Sequence, residues 1–181
     1  GKMEFGPRAL GNRSILADPR NKNMQSILNL KIKYRESFRP FAPAILEENT
    51  SEWFDLKDKS PYMLFVAKVN DQKIKKVDRE EEYNTKGFDK LKIVRSEIPA
   101  ITHVDYSARV QTVSEKNNPL FYKLIQNFYK KTNCPILINT SFNIKNEPIV
   151  CSVRDAYECL LTSQMDYLIC GNYIIDRNDQ F

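Results

Sequence analysis

Histidine is nearly absent: His103 is the sole one in 181 residues. The four cysteines, Cys134, Cys151, Cys159 and Cys170, include no Cys-x-x-Cys pair. A zinc site needs clustered Cys and His ligands, so no metal site is expected within the chain. The same cysteines read as reduced, mostly buried thiols of a cytoplasmic protein. Neither a GxxxxGK(S/T) run nor a GxGxxG run occurs, which excludes a P-loop and a dinucleotide fingerprint. No apolar run approaches the ~20 residues that cross a bilayer, and no basic-then-apolar segment stands at the start. A membrane partner is therefore not expected. Internal repeats and low-complexity tracts are missing as well. The chain begins with Gly1 and reaches its first motif almost at once, which reads as the tail of a longer polypeptide. Asn-x-Ser/Thr triplets at Asn12, Asn49 and Asn139 carry no weight without a secretion signal.

What is present is charge of one sign in one place. Residues 1–39 hold nine Lys/Arg against three Asp/Glu, and residues 40–181 hold nineteen against twenty. The net +5 therefore arises in the first fifth of the chain, which points to an anionic partner bound at one place. These cations are interleaved with Gly, Pro, Phe and Leu, the texture of a pocket and not of a tail. In GPRALGNRS, Arg8 and Arg13 sit among glycines. Glycine lets the backbone come close to a bound group, and arginine offers a planar five-donor fork. Lys31, Lys33, Arg35 and Arg39 follow in KIKYRESFRPFAPAIL. Read as extended chain, Lys33 and Arg35 project together. The expected ligand is a phosphorylated small molecule.

The length suits one domain with a sizeable core. Strand and turn are expected over 1–14, and a helix from about Asn23 to Lys31 on the spacing of Met24, Ile27 and Leu28. Pro40 and Pro43 force Phe41–Leu46 to be extended. One or two helical turns follow over Asn49–Phe54, with Trp53 a core or interface anchor. Tyr62–Val69 reads as a buried strand. Residues 71–92 are charged and read as an exposed hairpin or loop. Ile98–Val113 fits two strands or one bent strand. Asn118-Pro119 starts a helix, with an apolar stripe of Leu120, Phe121, Leu124, Ile125 and Phe128. A short buried strand, Pro135–Ile138, and a polar loop over 139–150 come next. Ser152 and Asp155 are spaced as a capping box for a helix over Val153–Thr162. Met165–Asp176 supplies last strands around the Gly171-Asn172 turn. This mixture is α/β in class.

Two segments carry further chemistry. NTSFN sets Asn139, Thr140, Ser141 and Asn143 after a strand, where α/β sheets line ligand crevices, although such residues also bond their own backbone in ordinary turns. In THVDYSARV, steps of two put His103, Asp105, Ser107 and Arg109 on one strand face. Ser107 and Arg109 suit phosphate or carboxylate. His103 and Asp105 read either as a base and its orienter or as structural groups.

EFGPRALGNRSILADPR, KYRESFRPFAPAIL, ITHVDYSARVQTV, NTSFN with NEPIV, and DAYECLLTSQMDYLICGNY occur in that order. Together they resemble the C-terminal domain of the O-carbamoyltransferases that modify nodulation factors, cephem antibiotics and aminoglycosides. The likeness covers about residues 1–48 and 98–176. It implies a YrdC-like α/β fold, an open twisted mixed sheet flanked by helices. It also implies that the domain binds carbamoyl phosphate and ATP, with Mg²⁺ carried by the ATP, and forms carbamoyl-adenylate with release of pyrophosphate. The implied partner is an N-terminal domain of actin-like fold in the same polypeptide, which holds a metal and carries the carbamoyl group to an acceptor hydroxyl. Lys33-Tyr34-Arg35 and Ser141-Phe142-Asn143 look like the Lys-x-Arg and Ser-x-Asn pairs that surround the nucleotide in relatives making threonylcarbamoyl-adenylate.

The resemblance thus implies Lys33, Arg35 and Arg8 as catalytic residues. It implies Arg13, Arg39, Ser107, Arg109, Asn139, Ser141 and Asn143 as ligands of substrate and nucleotide. Adenylate formation needs cations on phosphate and an aligned attacking oxygen more than acid–base work, which agrees with many arginines and one histidine. Tyr106 stands where the family has a small residue, Asn146 where it has glycine and Val153 where it has proline. Bulk at Tyr106 is expected to narrow the pocket beside Ser107, whereas Asn146 tolerates a positive φ. Two other readings stand beside this one. An RNA-binding module would use a concave basic face, but the charge is only +5 and no aromatic stacking motif occurs. A catalytically silent docking domain is the other. The acceptor and the oligomeric state, homodimer included, are left open.

Overall fold

Three segments of alternating or continuous apolar residues build the centre of a sheet in the computed structural model, which describes residues 3–181. They are β2 (Ala42–Leu46), β4 (Ser107–Val113) and β5 (Ile136–Ser141), flanked by β1 (Ser14–Ala17) and β3 (Phe65–Lys68). The order is β1-β5-β2-β4-β3. Only β2 and β4 run parallel; the other neighbours are antiparallel. All five residues of β2 are buried, because helices cover both of its faces. Ile45, Ile136 and Ile138 face one core layer, while Ala44, Leu46 and Leu137 face the other, the two-residue alternation of a pleated strand.

The second layer is closed by α4 (Pro119–Thr132), through Phe121 and Ile125. Its Asn118 cap accepts from the Phe121 amide, as the sequence predicts. Leu120 and Leu124 of the expected stripe point to solvent, since α4 is seated on the sheet by only part of that face. The first layer is closed by α1 (Met24–Ile27) with the π-turn Leu28–Ile32 that continues it, and by α5 (Val153–Thr162). The Ser152–Asp155 capping box forms. A separate hairpin, β6 (Tyr167–Cys170) and β7 (Tyr173–Asp176), turns at Gly171, whose φ of 59 suits glycine. The open, mixed sheet with flanking helices is the expected architecture.

Several local expectations are corrected. Gly1 and Lys2 lie outside the described residues, and residues 3–13 form no strand; β1 begins at Ser14. Tyr62–Val69 is not a buried strand. β3 pairs with β4 alone, at the sheet's edge, so Leu64, Phe65 and Val66 face solvent. Residues 71–92 make no hairpin. They fold as α3 (Arg79–Asn84) between two 3₁₀ turns, Asp71–Lys73 and Gly87–Lys92. Over Ile98–Val113 there is one strand, β4, preceded by a 3₁₀ turn at Pro99–Ile101. Asn139–Ser141 extend β5 and do not open the loop. Trp53 is core. All four cysteines are free thiols, but only Cys134 and Cys159 are buried, with Cys170 partly covered and Cys151 exposed. Among the described residues no helix is long and apolar enough to cross a membrane.

Candidate functional site

Strand order brings distant motifs to one end of the sheet. Ser14 lies opposite Ser141, and Ala42 opposite Asn139. Ala44 lies opposite Gln111, two residues beyond Arg109. The C-terminal end of β5 therefore meets the start of β1, the start of β2 and the start of β4.

Lys33 reaches this end from the π-turn. Its amide bonds the Leu28 carbonyl at 2.8 Å, a five-residue step that displaces the helix phase. Tyr34 then takes φ 48 and reverses the chain. The expected extended run does not exist; Lys33 and Arg35 face one cavity because of this reversal. The Lys33 ammonium is buried among oxygens. It donates to Asn143 Oδ1 (2.7 Å), Asn143 O (2.9 Å), Ser141 Oγ (3.2 Å) and Ser141 O. Ser141 Oγ in turn donates to Asn143 Oδ1 at 2.7 Å. Burial, and then the Arg35 guanidinium, pull the Lys33 pKa down to about 7.

The cavity beside this cluster has a volume of about 270 Å³. Lys33, Arg35, Arg39, Ser141 and Asn143 all line it, together with Asn146. Asn146 holds φ 67, a left-handed conformation that asparagine tolerates. Arg35 stacks over Phe41 at 5.0 Å and donates Nε to Asn29 Oδ1 at 2.7 Å. Burial and then Arg39 lower its pKa. Arg39 is paired with Glu36 at 3.0 Å. Asn29 went unnoticed in the sequence, where it sits between two leucines of a helical pattern. It is fully buried and also donates to the carbonyls of Ser37 (3.1 Å) and Arg39 (2.8 Å). One amide thus ties down the loop that carries both arginines.

The other expected residues do not line this cavity. Arg109 is half-buried in β4: burial lowers its pKa, and the charge of Arg8 lowers it further. The loop bearing Arg8 is closed by Glu4, whose Oε1 accepts from the amides of Leu10 and Asn12, both at 2.8 Å. Arg13 accepts at its carbonyl from the Phe142 amide, beside the Ser141–Asn143 cluster, and donates Nη1 to Asn12 O. Asn139 is buried and acts as a bracket. Its Nδ2 donates to Ala9 O (3.0 Å) and to Gln111 Oε1 (2.7 Å), while Gln111 donates to Leu10 O. Ser107 Oγ donates to Asp105 Oδ1 at 2.7 Å. His103 and Asp105 do not share a strand face, because residues 103–106 form a tight turn with Tyr106 at φ 64. Tyr106 does not narrow the cavity, which it does not line.

Lys33, Arg35 and Arg39 around one cavity, beside amide and hydroxyl groups, can hold phosphate oxygens. Residues 1–177 match the family described as carbamoyltransferase C-terminus. An uncharacterised protein of Synechocystis sp. is 53% identical over 180 residues, 99% of this chain and 29% of that protein. Nodulation protein NolO of Bradyrhizobium diazoefficiens is 48% identical over 98% of this chain and 29% of its own length. The 3'-hydroxymethylcephem-O-carbamoyltransferase of Amycolatopsis lactamdurans is 35% identical over 86% of this chain and 25% of its own length. The chain spans less than a third of these relatives.

Proposed function

The chain belongs to the carbamoyltransferase C-terminus family, and from that premise we propose that it forms carbamoyl-adenylate from carbamoyl phosphate and ATP–Mg²⁺. For the atoms to balance, carbamoyl phosphate gives up its phosphate to water, and an oxygen of the carbamate attacks the α-phosphorus of ATP. The bond from that phosphorus to the β-phosphate's bridging oxygen breaks, and pyrophosphate leaves. The carbamoyl group then passes to an acceptor hydroxyl in the remainder of a longer polypeptide, as the relatives' lengths suggest.

The observation that carries this reading is the gathering of Lys33, Arg35 and Arg39 around one cavity at the polar end of β5. Arg35 and Arg39 line one cavity, and their charges, like those of Arg8 and Arg109, act on one another. Placing like charges near one another is costly in the empty protein, and Arg35 and Arg109 are partly buried as well. A polyphosphate relieves that cost, and relief is greatest where charge builds on the leaving pyrophosphate. Two cationic positions suit two phosphate-bearing substrates. In this scheme Lys33 keeps Ser141 and Asn143 in place, and the arginines hold the phosphates.

Calorimetric titration with ATP–Mg²⁺, with and without carbamoyl phosphate, followed by a pyrophosphate assay, tests the proposal. Pyrophosphate release that requires both substrates is expected. Arg35→Ala and Ser141→Ala should lose ATP binding while keeping a cooperative unfolding transition. Unchanged ATP affinity in both variants would remove this cavity from the reaction.

A further inference from the structure

Asn29 is fully buried in the π-turn, between Leu28 of the core and Leu30, which faces solvent. A polar side chain in such a place is costly unless its hydrogen bonds are made. Among the described residues, every hydrogen bond of this side chain goes to the loop of residues 35–39. Oδ1 accepts from Arg35 Nε at 2.7 Å, and Nδ2 donates to Ser37 O at 3.1 Å and Arg39 O at 2.8 Å. The Asn29 carbonyl also accepts from the Arg35 amide, at 2.9 Å. Gln25, four residues earlier on the same helical face, adds longer bonds to Phe38 O and Arg39 O.

Arg35 is thereby held on three sides. Its Nε is committed to Asn29, its guanidinium lies over Phe41 at 5.0 Å from the ring centroid, and its amide is tied to the Asn29 carbonyl. Nη1 and Nη2 have no hydrogen-bond partner among the described residues, and Arg35 lines the cavity beside Ser141 and Asn143. What is left is the end of the guanidinium, two parallel donors at a fixed spacing. That geometry grips two oxygens of one phosphate. Lys33, by contrast, gives its ammonium protons to oxygens of the protein.

We propose that Asn29 is a positioning residue for phosphate: by holding Nε it presents Arg35 end-on, so that both terminal nitrogens engage one phosphate group together. Asn29 does not line the cavity and acts through Arg35. Without it the guanidinium rotates among rotamers, and a gripping fork becomes a mobile charge. This inference rests on the reading of the cavity as the phosphate site of an adenylate-forming domain, and it names the residue that sets how the phosphate is held.

The test measures the affinities of inorganic tripolyphosphate and of ATP, each with Mg²⁺, by calorimetry in two backgrounds. In the unmodified protein, Asn29→Ala should weaken both ligands by about tenfold or more, the contribution of one charge-assisted hydrogen bond. In Arg35→Lys, which keeps the charge and lacks the fork, the same substitution should cost less than about twofold. Equal losses in the two backgrounds would mean a merely structural Asn29 and would overturn the proposal, as would no loss in either. Asn29→Leu, of similar volume and suited to a buried site, repeats the comparison without leaving a gap that could unfold the turn. If tripolyphosphate binding depends on Asn29 as stated but ATP and carbamoyl phosphate together yield no pyrophosphate, the positioning role stands and the adenylate reading falls. If the unmodified protein binds neither ligand, both fall.

Discussion

Lys33 commits its ammonium protons to oxygens of its own protein, so its role is to hold Ser141 and Asn143 under a positive charge. Its pKa of about 7 gives that role a pH signature. The unfolded chain keeps an ordinary lysine near 10.5. Between about 7 and that value the unfolded chain binds a proton that the folded one lacks, so stability of the free protein rises with pH across this window. Below about 7 both states are charged and the contribution is flat. A bound polyphosphate favours the charged form, so its affinity should fall as pH climbs past about 7. Urea midpoints and calorimetric affinities across this range check both trends, and Lys33→Met should flatten them. A stability profile level from neutral to mildly alkaline pH would rule out a depressed Lys33. The Lys-x-Arg and Ser-x-Asn texts were visible in the sequence, yet their contact was not, because the two lie 108 residues apart.

The elements that aim these side chains are short and depend on single residues. The π-turn, the reversal at Tyr34 and the Asn29 bracket set Arg35 and Arg39. Glu4 and Gly11 set the loop of Arg8 and Arg13. Gly11 holds φ +120, and a Cβ there would stand 2.5 Å from the Phe121 ring of α4. Gly11→Ala combines a strained backbone with overpacking, about 1–3 kcal/mol for each effect. Chemical denaturation should show a loss of about 2–6 kcal/mol, and the affinity for phosphate ligands should drop with it as the Arg8 loop lifts off α4. A change under about 0.5 kcal/mol would mean that the loop adjusts freely. The glycine's flexibility was legible in the sequence; its packing against a helix more than a hundred residues away was not. The strand at Tyr62–Val69 misled for a related reason. Its composition suits a buried strand, but burial was decided by its place at the sheet's edge.

At the scale of the whole molecule, one sheet end gathers Lys33, Arg35 and Arg39 and the polar end of β5. Ligand binding should therefore stabilise the entire fold. At a free concentration one hundred times Kd, ATP–Mg²⁺ should add about 2.7 kcal/mol to the folded state. Thermal unfolding with increasing ATP–Mg²⁺ should show a rising midpoint, absent in Arg35→Ala; a midpoint indifferent to ligand would contradict binding at this site. The sequence by itself determined the α/β class, the helix cap at Asn118, the capping box at Ser152 and the concentration of cations. Those features rest on residue types and on neighbours within four positions, where backbone geometry leaves little choice. Tertiary structure alone decided which cations share a cavity and that Asn139 and Asn29 are brackets. Each of these depends on strand order and on contacts between residues far apart in the chain, and local propensity carries no information about either.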